Sequence, residues 1–191
     1  MSSSPPPRIL LIIGPTAVGK SSLIDRVLAE YSDLVDLITY TTRPPRVGES
    51  EGQPYHFVTE ERFKELLAQG FFIEWAHVHG RMYGTPRDQV EHAARSGKVV
   101  IADVDVQGAK SVLKEFPRTT TIFLKPPSMD ALRHRFIKRG ITSQADLEKR
   151  LESAKIEMAQ ADHFEHVLIN DDFDHTLGEI RKIIENLLKN Q

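Results

Sequence analysis

The chain has 191 residues, 40% of them hydrophobic, and a formal net charge of −2. This length suits one core with inserted subdomains, and the near-neutral charge argues against a nucleic-acid surface built on bulk charge. Cysteine is absent, which excludes a disulfide framework, a thiolate zinc site and a cysteine nucleophile. With neither a leader-like start nor an apolar run of spanning length, we expect a soluble, cytoplasmic protein with a disordered tail over residues 1–7 and no membrane partner.

The first predicted element is a buried strand over residues 9–13, followed by the octet Gly-Pro-Thr-Ala-Val-Gly-Lys-Ser at 14–21. A helix with Leu23, Val27 and Leu28 on its apolar face comes next. This spacing between a strand and a helix predicts a phosphate-binding loop. Its backbone N–H groups would turn toward phosphate, while Lys20 supplies a positive charge and Ser21 a hydroxyl for Mg²⁺. An ordinary glycine-rich turn is the alternative, and the flanking elements disfavour it.

Residues 38–89 interrupt the pattern of buried strands and contain a short helix near 59–69. The segment from Thr41 to Glu49 places Arg43 and Arg46 close together between prolines that suppress helix formation. Two guanidinium groups suit a phosphate, and the phenols of Tyr55 and Tyr83 would add donors. Read alone, a Pro-Arg loop is more often solvated than functional. The apolar neighbours of Glu74 predict partial burial, so its carboxylate needs a partner with donors, such as a bound base.

Three further apolar runs, at 99–104, 121–124 and 166–169, predict buried strands separated by helical patterns, which indicates βαβ units and a parallel sheet. Asp103 and Asp105 stand two apart where the first of these strands ends, so both side chains lie on one face at the edge where such sheets bind ligands. That position suits Mg²⁺ and substrate. The alternative for either aspartate alone is a cap on the turn near Gly108.

Residues 126–160 read as two helices hinged at Arg139 and Gly140, with Ser128 and Ser143 at their N-termini. Hinged helices can act as a lid. Arginines recur along them, and a closing lid could bring positive charge to a phosphoryl group in transfer. A solvated basic helix face is the alternative for each arginine. A last amphipathic helix, from Leu177 to Leu188, should close the core.

Together these segments resemble guanylate kinase. The resemblance runs from about Arg8 to about Leu188 and rests on the phosphate loop, Thr41–Glu49, Gly52–Phe57, Phe72-Ile73-Glu74-Trp75, Tyr83-Gly84-Thr85, Asp103–Gly108 and Ile169–Asp172. It implies an α/β fold with a P-loop NTPase-type parallel sheet flanked by helices, a mixed α+β GMP-binding insertion and a helical lid. The core would comprise residues 8–37, 90–125 and 161–191, the GMP-binding subdomain 38–89 and the lid 126–160.

The resemblance also implies the reaction, in which ATP and GMP, with Mg²⁺, give ADP and GDP. The expected partners are therefore the small molecules ATP and GMP. The protein itself would be a monomer or a homo-oligomer. The implied catalytic residues are Lys20, Arg43, Arg135, Arg139 and Arg150. ATP would be bound by Gly14, Pro15, Thr16, Ala17, Val18, Gly19, Lys20, Ser21, Ser22 and Asn170. GMP would be bound by Thr39, Arg43, Arg46, Glu49, Tyr55, Glu74, Tyr83, Gly84, Thr85, Asp103 and Asp105. Ser21 and Asp103 would be the metal ligands.

The chain departs from the family pattern in a few places. Ala17 and Val18 stand where the family usually has glycine and a small residue, Thr39 stands for serine, Arg81-Met82 replace a Gly-Asn-type turn, and Ile141 replaces a polar residue. No charged group is lost, so we expect activity with altered rate or affinity. Two rival hypotheses are a tRNA prenyltransferase, which shares the loop string alone, and a guanylate kinase-like binding module, which typically lacks a working loop.

Overall fold

The structure, a computed structural model, describes residues 6–78 and 80–189, and only the backbone of Val78. Most of the predicted disordered tail over residues 1–7 therefore lies outside the described residues. In the described part of the chain, no helix is both long and apolar enough to cross a membrane.

Ten strands and seven α-helices follow one another along the described chain. The strands are β1 (Arg8–Ile13), β2 (Leu34–Asp36), β3 (Tyr40–Thr41), β4 (Ser50–Glu51), β5 (Pro54–Phe57), β6 (Phe72–Val78), β7 (Arg81–Pro86), β8 (Val99–Val104), β9 (Thr120–Lys125) and β10 (His166–Ile169). The helices are α1 (Lys20–Glu30), α2 (Glu60–Ala68), α3 (Arg87–Arg95), α4 (Val106–Glu115), α5 (Met129–Lys138), α6 (Gln144–Met158) and α7 (Phe173–Lys189).

The chain divides into two compact units. The first contains Asp33–Ala102 and Gln107–Thr119 together with the N-terminal residues through Ile9, and the second contains Leu10–Ser32, Asp103–Val106 and Thr120–Gln191. Strands β10, β9, β1, β8 and β2 form, in that order, one five-stranded sheet with flanking helices, which is an α/β fold. The pairs β1–β9, β10–β9 and β2–β8 are parallel, as predicted.

A second, mixed sheet lies within the first unit, in the order β4–β5–β3–β7–β6. Strands β3 and β5 are parallel, whereas β7 runs antiparallel to both β3 and β6. Its apolar residues pack with the buried face of α2, forming a small core of Phe63, Leu66, Phe72 and Met82. This separate core stabilises the sheet, in which β3 and β4 have only two residues each, because packing against a helix supports strands that are too short to be stable alone.

The predicted helix starts in the second unit, and the predicted break between the two helices at Arg139 and Gly140, are confirmed. Ser128 accepts a hydrogen bond from Ala131 N at 3.0 Å, and Ser143 accepts one from Asp146 N at 3.4 Å, so both serines cap their helices. Gly140 follows α5 with φ +88°, a conformation that suits glycine. The apolar faces of α5 and α6 then pack together.

The prediction that residues 166–169 form a fully buried strand was wrong in one respect. The strand exists as β10, but Val167 and Ile169 are 38% and 57% exposed. The reason is its place at the end of the sheet order, where β9 is its sheet neighbour. An apolar run does not distinguish such a half-exposed edge strand from a central one.

Candidate functional site

The phosphate loop in the second unit connects β1 to α1, the context that the motif requires. Gly14 and Gly19 have φ of +141° and +111°, values that residues with a Cβ rarely adopt. A Cβ on Gly14 would also clash with the carbonyl oxygen of Leu124. Helix α1 begins at Lys20 without a side-chain cap. Its first N–H groups thus stand at the loop, where a helix N-terminus favours an anion.

The side chain of Lys20 reaches back to the start of the phosphate loop. Its ammonium donates to the Gly14 carbonyl at 2.5 Å and lies 3.4 Å from Oδ1 of Asp103. The lysine side chain is 11% exposed and that of Asp103 is 40% exposed. Desolvation by the surrounding protein raises the pKa of Asp103, although the charges of Lys20 and Arg139 act in the opposite direction. An ammonium and a carboxylate thus lie side by side at one end of the loop.

Asp103 and Asp105 alternate with buried Val104 and Val106, so the two carboxylates share one face at the end of β8. A third carboxylate, Glu157 of α6, was missed by sequence reasoning. Burial raises the pKa of Glu157, and the charges of Asp105 and Asp103 raise it further, whereas Lys20 lowers it. The sequence signal was available, because Glu157 continues the buried stripe of α6 three residues after Ala154.

Two polar side chains hold the carbonyl oxygen of Val18 from outside the loop. Asn170 Nδ2 donates to it at 2.7 Å and one terminal nitrogen of Arg135 donates at 2.9 Å. The other terminal nitrogen of Arg135 donates to the main-chain oxygen of Asn170 at 2.8 Å. Asn170 is buried and packs so closely on Gly19 that a Cβ there would collide with it. Asn170, predicted to bind ATP, and Arg135, predicted as a catalytic arginine of the lid, therefore contact the loop itself.

The other two predicted lid arginines lie directly after α5 and within α6. Arg139, directly after α5, is exposed, and its charge lowers the pKa of Asp103. Arg150 of α6 forms an ion pair with Asp146 one turn earlier, with 3.0 Å between Nε and Oδ2. Thr16, Ser21 and Ser22 are also exposed. Positive charge is thus present in the second unit both near the aspartates and on the helix pair α5–α6.

Arg43 is the centre of the anion site predicted in the first unit. Its guanidinium makes two hydrogen bonds to Glu49, and it lies 5.4 Å from the ring centroid of Tyr55 and 5.6 Å from that of Phe57. Hydrogen bonding to Glu49, and to Tyr83 as a smaller contribution, raises the pKa of Arg43. An always-charged, oriented guanidinium between aromatic rings suits a phosphate monoester.

The remaining predicted anion ligands surround Arg43 in different ways. The rings of Tyr55 and Tyr83 meet edge to face at 5.8 Å. Arg46 is exposed, and its main-chain N–H donates to Glu49 Oε2 at 2.7 Å. The contacts of Glu49 are therefore with the two arginine residues, so this glutamate organises the loop that carries them.

The predicted base-reading residues lie on neighbouring strands of the first unit. Thr85 of β7 is opposite Glu74 of β6, and its hydroxyl donates to Glu74 Oε1 at 2.5 Å. Glu74 is half-buried, as predicted. Gly84 is buried beside Phe72 and Phe63, and the carbonyl of Thr39 accepts a hydrogen bond from His56 N. Thr85 thus directs the acceptor-only Glu74 carboxylate, which can bind a base edge that carries N–H donors.

The residues proposed to hold Mg²⁺ fit that ion. No group of three or more histidine or acidic residues suited to a metal occurs among residues 6–78 and 80–189. Mg²⁺ in phosphoryl-transfer sites typically takes only one or two protein oxygens, with waters and phosphate oxygens completing the octahedron. The Ser21 hydroxyl and the Asp103 carboxylate supply hard oxygen donors of this kind, both in the second unit.

Comparisons with known proteins match this chain to guanylate kinases over nearly its whole length. A family model described as "Guanylate kinase" matches residues 6–187. The guanylate kinase of Bdellovibrio bacteriovorus is 41% identical over 181 residues, which cover 95% of this chain and 98% of that protein. That of Thermotoga maritima is 40% identical over 179 residues, covering 94% and 86%. The crystal structure of guanylate kinase from Anaplasma phagocytophilum is similar with a TM-score of 0.76 and 30% identity, covering 96% of this chain and 87% of that one.

Proposed function

The chain belongs to the guanylate kinase family of phosphotransferases, and on this premise we propose that it transfers the γ-phosphoryl group of ATP to GMP. The products are ADP and GDP, dGMP is a slower acceptor, and Mg²⁺ is required. The observation that carries the proposal is the complete phosphate loop with Lys20 beside Asp103. A binding module of this fold, which typically lacks a working loop, would not need that pair.

In this proposal the phosphate loop binds the donor nucleotide. Backbone N–H groups of residues 14–21 and the Lys20 ammonium hold its β- and γ-phosphates. Ser21 and Asp103 hold Mg²⁺, which neutralises charge on the phosphate oxygens when it is bound. Arg139 and Arg150 add positive charge on and beside the helix pair, where charge builds up on the phosphoryl group during transfer. Each of these groups lies in the second unit.

The acceptor nucleotide binds to the first unit. Arg43 is held in place by Glu49 and flanked by Tyr55 and Tyr83, so it receives the GMP phosphate as an oriented, charged fork. Glu74, positioned by Thr85, accepts hydrogen bonds from the N1–H and 2-amino groups of guanine. Adenine has neither donor at those positions. It would leave the carboxylate unpaired, and unpaired buried groups cause strong discrimination.

The chemical step needs no general base, because an oxygen of the GMP phosphate is already anionic. That oxygen forms a bond to the γ-phosphorus while the bond from the γ-phosphorus to the β–γ bridging oxygen breaks, and the bridging oxygen leaves with ADP. The protein contributes position and charge stabilisation. Within the same proposal, the enzyme serves nucleotide salvage and GTP supply in the cytoplasm, as a monomer or homo-oligomer.

An ADP-release assay with GMP, dGMP, AMP, CMP and UMP as acceptors tests this function. We expect turnover of GMP, slower turnover of dGMP and almost none of the other three. Lys20→Ala should lower kcat by at least about 100-fold, because it removes the charge on the transferring phosphates, whereas Lys182→Ala on the exposed face of α7 should have no effect. Equal use of AMP would overturn the base assignment. Binding of GMP without turnover would favour the binding-module hypothesis.

A further inference from the structure

The carbonyl oxygen of Val18 accepts hydrogen bonds from two elements distant in sequence. Asn170, after β10, and Arg135, on α5, both donate to it, and Arg135 also donates to the main-chain oxygen of Asn170. We call this closed arrangement of three groups the Val18 clamp. It uses both lone pairs of one carbonyl inside the loop that is proposed to bind ATP phosphates.

The clamp fixes the orientation of one peptide plane. In a trans peptide the C=O of residue 18 and the N–H of residue 19 point in opposite directions. Two donors hold the Val18 oxygen on one side, so the Gly19 N–H is directed to the other. The Asn170 side chain also occupies the space that a Cβ on Gly19 would need, so it packs directly against this glycine. The clamp therefore sets the direction of an amide donor in the phosphate loop.

The backbone of Ala17, the residue before Val18, needs a restraint such as the Val18 clamp. Ala17 has φ +68°, the only positive φ of a residue other than glycine within residues 6–78 and 80–189. The left-handed conformation is disfavoured for a residue with a Cβ. The Ala17 methyl is buried with Leu132, Phe136 and Leu151 in the core between α5 and α6. Packing of the methyl and the clamp on the next carbonyl thus act together against relaxation of the loop.

We propose that Arg135 and Asn170 are positioning residues of the phosphate loop, which hold the peptide between Val18 and Gly19 and keep Ala17 in its left-handed conformation. This role differs from the ATP contact predicted for Asn170 and from the catalytic role predicted for Arg135. It rests on the proposed function only in that ATP is the ligand of the loop. Helix α5 and the end of β10 then determine together how well the loop receives phosphate.

Inorganic tripolyphosphate distinguishes the clamp from a direct contact with adenine, because it has no base. Asn170→Leu removes the donor with little change in size, and calorimetry would measure the binding of tripolyphosphate and of ATP. We expect both affinities to fall by about tenfold, as for the loss of a buried hydrogen bond. Asn186→Leu, the same change at an exposed site of α7, should alter neither affinity.

Tripolyphosphate affinity that stays unchanged in Asn170→Leu would overturn the proposal, whether or not ATP binding weakens. Failure of the unsubstituted protein to bind tripolyphosphate would also contradict a preformed phosphate site. Neither measurement uses GMP, so a failure of the proposed kinase activity would be seen separately, in the ADP-release assay. Should Asn170→Leu not fold, Asn170→Ala makes the same test, since it removes the same Nδ2–H donor to the Val18 oxygen without adding bulk.

A double-mutant cycle tests the link to Ala17. Glycine adopts the left-handed conformation readily, so Ala17→Gly should reduce the loop's dependence on the clamp. In that background we expect Asn170→Leu to weaken tripolyphosphate binding by about threefold in place of about tenfold. Equal losses in the two backgrounds would overturn the claim that the clamp holds Ala17.

Discussion

Arg43 and Glu49 form a two-point ion pair, with NH1 2.9 Å from Oε2 and NH2 3.0 Å from Oε1. Glu49 Oε2 also accepts the main-chain N–H of Arg46. One carboxylate therefore sets both the direction of the Arg43 fork and the turn of the loop that carries Arg46. An anion beside a phosphate site would repel its ligand if it acted alone, so under the proposed function Glu49 would act on GMP through Arg43.

Glu49→Ala should raise the KM for GMP by about tenfold, because Arg43 loses its charged partner and becomes less ordered. The KM for ATP should not change. Glu49→Gln, which keeps one acceptor oxygen, should give a smaller rise of about threefold. Steady-state kinetics with each nucleotide varied in turn would check this. Glu65→Ala on the exposed face of α2 is the control. An unchanged KM for GMP in Glu49→Ala would show that Arg43 is ordered without Glu49.

Glu74→Gln should reduce discrimination between GMP and IMP, which lacks the 2-amino group. A glutamine has one acceptor oxygen where the carboxylate has two, so it cannot pair with both guanine donors. We expect the ratio of kcat/KM for GMP to that for IMP to fall by about tenfold. Thr85→Ser, which retains the hydroxyl bound to Glu74, should keep most of the ratio. A ratio unchanged by Glu74→Gln would place guanine recognition elsewhere.

Gly84→Ala should destabilise the protein, since a Cβ there would lie 2.8 Å from Phe72 Cδ1 and 2.9 Å from Phe63 Cζ. Those two rings are stacked with their centroids 4.6 Å apart in the small core of the first unit, so neither can move without repacking. We expect a loss of about 1–3 kcal/mol in the free energy of unfolding. Denaturant titration would measure it.

Gly178→Ala is the matched control for Gly84→Ala. Gly178 lies within α7 with no atom close to the position of an added Cβ, so the same substitution should stabilise the protein by about 0.5–1 kcal/mol. Opposite signs for the two variants are expected. A stable Gly84→Ala variant would mean that the aromatic pair adjusts easily to an added methyl group.

Several features of the fold could be predicted because they depend on local sequence. The strands β1, β8 and β9 each contain an uninterrupted run of at least four buried residues, almost all of them apolar, and Ser128 and Ser143 cap helices through hydrogen bonds to residues three positions later. Such signals need no knowledge of the rest of the chain. The strands of the mixed sheet carry weaker signals, because β3 and β4 have two residues each.

Features that depend on contacts between distant residues could not be predicted in the same way. The Asn170 side chain meets Val18 across 152 positions of sequence, and no local pattern indicates which carbonyl it will bind. The sequence predicted Asn170 as an ATP-binding residue and Arg135 as a catalytic arginine of the lid. It did not show that both donate to the phosphate loop. The departure at Ala17 was visible in the sequence, but its left-handed conformation required the structure.

Glu30 on α1 joins two arginines of the second unit, and this cluster should make stability depend on pH. Arg181 Nε and NH2 each donate to Glu30 at 2.8 Å, and Arg26 Nε donates at 2.7 Å. Hydrogen bonding to Arg181, with a smaller contribution from Arg26, lowers the pKa of Glu30 from 4.5 to about 2. The unfolded chain lacks these partners, so its Glu30 binds a proton at higher pH than the folded chain.

A carboxylate with a lowered folded pKa stabilises the protein above its unfolded pKa, and the contribution is lost as pH falls from 4.5 toward about 2. Glu30→Gln should therefore lower Tm at pH 7 by about 1–3 °C, a small effect because the pair is exposed to solvent. The difference from the unsubstituted protein should shrink steadily below pH 4.5. Arg181→Gln should give the same trend. The variant that combines Glu30→Gln with Arg181→Gln should have a Tm only slightly below that of either single variant. A Tm difference that stays constant down to pH 3 would show that Glu30 contributes through packing and not through its charge.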